Sequence, residues 1–334
     1  MSRRAPESLV WLVTSKCVLN CKHCYASLYR LERDLDLQDV FKVLEEAVEI
    51  GVEHVHFTGG EPLLRSDILD VLGHALNLGL EASLFTNLMI LNEEVAEKLS
   101  KLEIPIYTSL EGPNKEVFEA LRGRGTWTRF IENFKTLVKA GVKPHVNIAV
   151  SKLNWMYASD SIKKALELGS SSTSIIPVMP SGNAQKFNTH VDSASFAYAL
   201  RQVASVAEEL GIAVAVWCAP FAKAVVNSKR LRYGNCKDWD VLDITPSGNV
   251  VACDVMDYKL GNVVEHGLRG AWLRRCSDPL MERALNPRLR PPCDTCSIRS
   301  WCMGGCYARA WIAYGDVEAP DPLCPIAAER CLQH

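Results

Sequence analysis

Between Leu9 and about residue 217, short runs of β-branched and other apolar residues alternate with stretches of helical periodicity. The strand candidates are Leu9 to Ser15, His54 to Thr58, Glu81 to Thr86, Ile104 to Leu110, His145 to Val150 and Ser174 to Val178. Between them, residues such as Leu37, Val40, Phe41, Leu44, Ala47 and Val48 recur at i, i+3, i+4 and i+7, the spacing of one apolar helix face. Gly51, Gly79, Gly141, Gly169 and Gly211 each follow such a stretch, where a left-handed C-terminal cap favours a residue without Cβ. This alternation predicts an α/β chain of six β/α units with a parallel sheet and right-handed crossovers, open or curled toward a barrel. Functional loops then belong at the strand C-terminal ends.

The pattern changes after Trp217. Ten of the thirteen cysteines fall between Cys218 and Cys331, in turn-rich sequence with one long helix candidate, Ala271 to Leu285. A core domain over 1–217 and a second module over 218–334 are therefore expected, the second too poor in apolar periods to hold itself by burial alone. The 334 residues are 48% hydrophobic and carry a formal charge of -2, so no overall field draws the chain to nucleic acid or to an anionic membrane. Apolar runs such as Leu9 to Val13 are far shorter than a membrane span, and no signal-peptide core precedes Thr14. A cytoplasmic protein is expected. In a reducing cytosol, many thiols in an odd number point to a soft metal before disulfides.

Cys17-x3-Cys21-x2-Cys24 sits just after the first strand. Three thiolates this close suit three irons of a 4Fe-4S cluster, leaving the fourth iron without a protein ligand. A zinc site completed by His23 is the alternative, although adjacent positions converge poorly on one tetrahedral ion. Gly59-Gly60-Glu61-Pro62 ends the second strand, where glycines allow close backbone approach to a ligand and a carboxylate suits an ammonium group. Thr86-Asn87 ends the third strand, Thr108-Ser109-Leu110-Glu111-Gly112 ends the fourth, and Arg122-Gly123 follows. Together these segments resemble the radical S-adenosylmethionine (radical SAM) enzymes, with Leu88 where that family often has glycine and Glu111 in place of an aspartate. The resemblance implies a partial (β/α)6 TIM-like barrel. It also implies that Gly59 and Gly60 belong to the S-adenosylmethionine site and that Glu61 holds the amino group of that cofactor, while Ser109 and Arg122 contact its carboxylate or ribose. Asn87 serves as a ligand or a turn former, and His23 takes the family's aromatic position. His54 and His56, alternating on one strand, are expected to be structural.

The C-terminal module reads Cys236-x11-Gly248-x4-Cys253, then Cys293-x2-Cys296-x5-Cys302-x3-Cys306, then Cys324. This resembles the seven-cysteine signature of the SPASM extension, with paired zinc ribbons as the alternative. The resemblance implies an outer cluster on Cys293, Cys296, Cys302 and Cys324, and an inner one on Cys236, Cys253 and Cys306, making three 4Fe-4S clusters in all. The inner cluster's fourth iron is then either open to substrate or closed by Cys218, Cys276 or Cys331. The stretch from Cys253 to Asn262 resembles anaerobic sulfatase-maturating enzymes and gives Asp254 the role of general base, but Arg230 stands where those enzymes carry a further cysteine. No separate leader-binding domain is expected before residue 9.

The implied activity is reductive cleavage of S-adenosylmethionine, fed by a low-potential electron donor, to a 5'-deoxyadenosyl radical that removes hydrogen from a substrate carbon. The expected substrate is a peptide or protein side chain. A porphyrin-like or other small precursor is the alternative, and a non-enzymatic iron-sulfur electron carrier or a zinc-organised binding module are further ones.

Overall fold

The computed structural model describes residues 5–331, with side chains through residue 328. Every expected strand forms within two residues of its expected limits: β1 (Ser8–Thr14), β2 (His54–Gly59), β3 (Glu81–Phe85), β4 (Ile106–Ser109), β5 (His145–Val150) and β6 (Ser172–Pro177). They pair in parallel in that order. Two short parallel strands that no periodicity marks, β7 (Val214–Val216) and β8 (Leu231–Tyr233), continue beyond β6. Three residues are too few to show an alternation.

Helices α1 (Leu37–Ile50), α2 (Ile68–Asn77), α3 (Glu93–Leu102), α4 (Lys115–Arg122), α5 (Thr126–Lys139), α6 (Ala158–Glu167), α7 (Asn183–Lys186) and α8 (Ser193–Leu210) fill the crossovers. The first shows why they form where they do. Asp36 caps α1 by accepting from the Asp39 N–H at 3.0 Å, and Gly51 ends it at φ 92°, a conformation that costs glycine little. Val40, Val43, Leu44 and Ala47 are buried, each larger one contributing roughly 1.5–3 kcal/mol. Val48 is partly exposed, while Phe41 stacks on His74 of α2 at 4.0 Å, so the buried stripe is narrower than the apolar pattern.

Beyond residue 217, one turn of helix, α9 (Ala222–Val225), precedes β8, and the chain then returns to the opposite flank of the same sheet. There β9 (Val241–Ile244) pairs in parallel with β1, and β10 (Asn249–Cys253) and β11 (Met256–Asn262) add antiparallel strands. The expected helix Ala271 to Leu285 is two helices: α10 (Val263–Ser277), kinked at Gly267, and α11 (Pro279–Leu285). Pro279 has no N–H to continue a ladder, and Asp278 instead caps the new helix through Leu280 N at 2.8 Å. The remaining helices are α12 (Arg299–Cys302), α13 (Tyr307–Tyr314) and α14 (Pro325–Cys331). Helix α13 ties the two flanks of the sheet together: the Tyr307 hydroxyl donates to the carbonyl of Ala252 on β10 at 2.8 Å, and Arg309 Nη2 donates to that of Cys218, just past β7, at 2.7 Å.

Candidate functional site

The first cysteine loop leaves β1 held by side chains that no motif announces. Asp34 accepts from Ser15 N at 2.7 Å, Ser15 Oγ at 2.9 Å and Thr14 Oγ1 at 2.6 Å, and Arg30 Nη2 donates to Leu19 O at 2.5 Å. From the far side, Asn183 Nδ2 donates to Asn20 Oδ1 at 2.8 Å and Cys21 O at 2.9 Å, its N–H to Cys24 O at 3.0 Å, and Thr189 Oγ1 to Lys22 O at 2.9 Å. Gly182 at φ 56° was the one available signal: a Cβ there would lie 2.7 Å from Cys24 O. Thus the loop is fixed independently of its thiols, which sit close enough to affect one another. Burial pushes the Cys21 thiol up to about 12, opposed by Arg122 and reinforced by the Cys24 and Cys17 charges.

Gly59 and Gly60 lie against this loop. Gly60 N donates to Thr14 O and Glu61 N to Lys16 O, both at 2.7 Å. A Cβ on Gly60 would fall 2.1 Å from Lys16 O, and one on Gly59, at φ 130°, 2.6 Å from Thr14 O. The close approach that these glycines permit is therefore to the chain's own backbone. Glu61 is fully buried; its Oε1 accepts from Thr86 Oγ1 at 2.7 Å and Leu63 N at 3.1 Å, and its Oε2 from Asn87 N at 2.7 Å. Burial raises its carboxyl and these bonds pull it back. Asn87 turns its Nδ2 toward Cys17 Sγ at 3.5 Å, and Leu88 adopts φ 64°, in the region where glycine is at ease.

Arg122, the last residue of α4, is buried against Glu111 through Nε–Oε2 at 2.5 Å and Nη2–Oε1 at 3.2 Å. Its Nη2 also donates to Ser109 O at 3.0 Å and to Ser109 Oγ. Burial alone would raise the Glu111 carboxyl, but Arg122 and then His23, whose Nε2 lies 3.5 Å away, hold it well below the usual carboxylate range. Arg122 Nη1 and His23 Nδ1 are buried without a hydrogen-bond partner.

Seven of the remaining thiols form two sets. Cys293, Cys296, Cys302 and Cys324 line one cavity. Cys236, just past β8, and Cys253, at the end of β10, both feel the charge of Cys306, the residue before α13, and burial followed by that charge pushes Cys236 up to about 12. Cys253 Sγ donates to Oδ1 of the adjacent Asp254 at 3.6 Å, and the Asp254 charge adds to burial in raising the hydroxyl of Tyr25, next to Cys24. Burial raises the carboxyl of Asp254, and burial with the Asp254 charge raises that of Asp243. The segment after Cys253 is held from the side of the first loop by the Tyr29 hydroxyl, which donates to Met256 O at 3.2 Å, and by Ser181 Oγ, which donates to Val255 O at 2.7 Å.

Residues 11–155 match the radical SAM superfamily, and residues 236–297 the SPASM iron-sulfur cluster-binding domain. The chain belongs to the radical SAM superfamily. It is 26% identical to an AdoMet-dependent heme synthase of Methanosarcina barkeri over 345 residues, covering 96% of each chain. It is 27% identical to a PqqA peptide cyclase of Streptomyces rochei, over 98% of this chain and 92% of that one. Among solved structures, SuiB of Streptococcus suis bound to the precursor peptide SuiA superposes with a TM-score of 0.78 at 20% identity, over 96% of this chain and 76% of that chain.

This radical SAM protein is thus an enzyme whose cofactors are 4Fe-4S clusters and S-adenosylmethionine. Its own donors fit them. Thiols whose ionisation is opposed by burial become thiolates when a soft cation replaces the proton, and four of them around one cavity suit a cluster better than a single ion. Among the described residues, no group of three or more His, Cys, Asp or Glu side chains is arranged to hold one metal ion. Arg122 Nη1 is a buried donor suited to a carboxylate. Glu61 already accepts three bonds, which leaves room for about one more on a carboxylate with four lone-pair directions.

Proposed function

We propose that this enzyme oxidatively modifies a side chain of a peptide or protein in the cytoplasm, supplied by a low-potential electron donor. The observation that carries the reading is the hydrogen bond from the Tyr29 hydroxyl to Met256 O at 3.2 Å, which ties the chain just after the loop of Cys17, Cys21 and Cys24 to the chain just after Cys253. When bound, the first cluster and S-adenosylmethionine supply a 5'-deoxyadenosyl radical able to take hydrogen from an unactivated carbon. The chain's own residues do the rest. Cys17, Cys21 and Cys24 hold the first cluster; Glu61, with Gly59 and Gly60 shaping its turn, receives the ammonium of S-adenosylmethionine; Ser109 and Arg122 receive its carboxylate or ribose; Asn87 positions Cys17. Cys293, Cys296, Cys302 and Cys324 hold the outer cluster, and Cys236, Cys253 and Cys306 the inner one. Asp254, made more basic by burial, takes the proton that leaves as the substrate radical is oxidised, the auxiliary clusters held by the C-terminal thiols would be the acceptor for the remaining electron, and residues from 218 onward close the site against water.

The peptide cyclase relative supports a peptide substrate, whereas the heme synthase relative supports a tetrapyrrole. Net charge gives nucleic acid no attraction, and among the described residues no helix is long and apolar enough to cross a membrane. The test is anaerobic turnover with candidate peptides and tetrapyrroles, followed by mass spectrometry. A peptide product lighter by two hydrogens is expected, together with loss of 5'-deoxyadenosine formation in the Cys17/Cys21/Cys24→Ala variant and retained auxiliary clusters. Modification of tetrapyrroles alone would overturn the peptide reading, undiminished cleavage in the triple variant would overturn the first cluster's assignment, and unchanged turnover in Asp254→Asn would remove that carboxylate's role.

A further inference from the structure

The geometry points to Cys218 as the fourth thiolate of the inner cluster, completing a set with Cys236, Cys253 and Cys306 and closing the iron that the seven-cysteine signature leaves open. The inference rests on the reading of those three residues as cluster ligands.

Register provides the first support. Strands β7 and β8 run parallel with Val216 opposite Tyr233, and neighbouring strands lie roughly 4.8 Å apart. Cys218 stands two residues beyond Val216 and Cys236 three beyond Tyr233, so both emerge at the same end of adjacent strands. One arginine then locks Cys218 to Cys306. Arg309 Nη2 holds the Cys218 carbonyl at 2.7 Å while its own backbone N–H donates to Cys306 Sγ at 3.5 Å. Asp321 fixes that arginine through Oδ1 at 2.7 Å and Oδ2 at 2.9 Å, and the same Oδ2 accepts from Cys306 N at 2.9 Å.

Backbone conformation agrees. Trp217 N still donates to Ile175 O at 2.9 Å, continuing the ladder, and the next residue turns to φ 53°. A non-glycine residue held there is unfavourable and persists where its surroundings over-determine it, which is typical of functional positions. Cys218 and Cys236 both keep accessible surface, so neither is consumed by packing in the hydrophobic core. Of the other candidates, Cys276 packs on α10 against the hydrophobic core, and the Cys331 side chain lies outside the described residues. Arg230 reaches the surface, bonding Gly211 O at 3.0 Å and facing Glu208 at 3.6 Å.

The experiment compares the reconstituted full chain with its Cys218→Ala and Cys276→Ala variants by iron and sulfide analysis, Mössbauer spectra and electron paramagnetic resonance. Spectra are taken with S-adenosylmethionine present and imidazole added as the probe ligand. The wild-type chain is expected to hold about twelve irons, three clusters of four, with auxiliary signals that imidazole does not move. Cys218→Ala should lose about a third of the iron or gain an imidazole-sensitive signal, and Cys276→Ala should do neither. Cys218→Ala indistinguishable from wild type, or a wild-type inner cluster that already binds imidazole, would overturn the ligand assignment while leaving the three-cluster reading intact. A wild-type chain saturating at about four irons would overturn both.

Discussion

At the scale of single residues, the site depends on atoms that approach each other more closely than a methyl group allows. Gly60 is the sharpest case, because a Cβ would fall 2.1 Å from a backbone oxygen and neither strand end has room to yield. Gly60→Ala is expected to unseat the first cysteine loop, losing S-adenosylmethionine cleavage and about a third of the bound iron, with about 3 kcal/mol of stability, the upper end of the usual cost of overpacking. Gly79 is the control. It lies at φ 85° with nothing within 4 Å of its would-be Cβ, so Gly79→Ala should cost only about 1 kcal/mol of conformational strain and leave the iron in place. Denaturant titration and iron analysis of the two variants check this, and equal effects would mean that conformation rather than contact explains both. Sequence reading found Gly60 and Cys17 because motifs mark them, but it passed over Asp34, Asn183 and Thr189. Each of those acts on the loop from a distant part of the chain, and a single Asp, Asn or Thr carries no spacing signal of its own.

At the scale of elements, periodicity located six strands well because each is long enough to alternate, and missed β7 and β8 because they are not. The histidines expected to be structural are indeed cross-strand fittings. His54 Nε2 and His56 Nδ1 on β2 meet Ser83 Oγ of β3 at 2.9 and 2.7 Å. On β5, His145 meets Ser172 Oγ at 2.8 Å and Ser174 Oγ at 2.7 Å on β6, and stacks on Trp217 at 5.4 Å. Burial lowers His56 and His145 to about 4 each, with His54 adding to the effect on His56. In the unfolded chain these rings titrate near pH 6.5, so between pH 6.5 and about 4 the unfolded state binds more protons and the folded state loses stability as pH falls. The loss is on the order of 3 kcal/mol or less per ring, at about 1.4 kcal/mol per pKa unit. Urea midpoints measured at pH 7 and pH 5 should show the fall in the wild-type protein and a shallower one in a His56→Gln/His145→Gln variant. Parallel slopes would mean that carboxylates, not these rings, set the acid limit.

At the scale of the whole molecule, the cysteine spacings made the two cofactor-bearing regions legible but hid how they are joined. A change of composition at residue 217 suggests a boundary, yet β8 and β9 to β11 lie on opposite flanks of the sheet begun by β1. Strand partners far apart in sequence leave no local trace, so no pattern within the C-terminal third announces which strand it will meet. The inner thiols come from both flanks, Cys236 just past β8 and Cys253 at the end of β10, and α13 carries Cys306 between them. Seen mechanically, this is an open bracelet with its fastening at the gap. A metal-sulfur group seated there is a clasp, and unfastening it releases the two ends while the middle of the band keeps its shape. Stripping the iron should accordingly speed amide hydrogen exchange in β7, β8 and β10 together, far from one another along the chain, while β3 and β4 at the centre exchange as before. Faster exchange confined to residues beyond 236 would mean that the C-terminal third loosens by itself and that the hoop does not depend on its clasp.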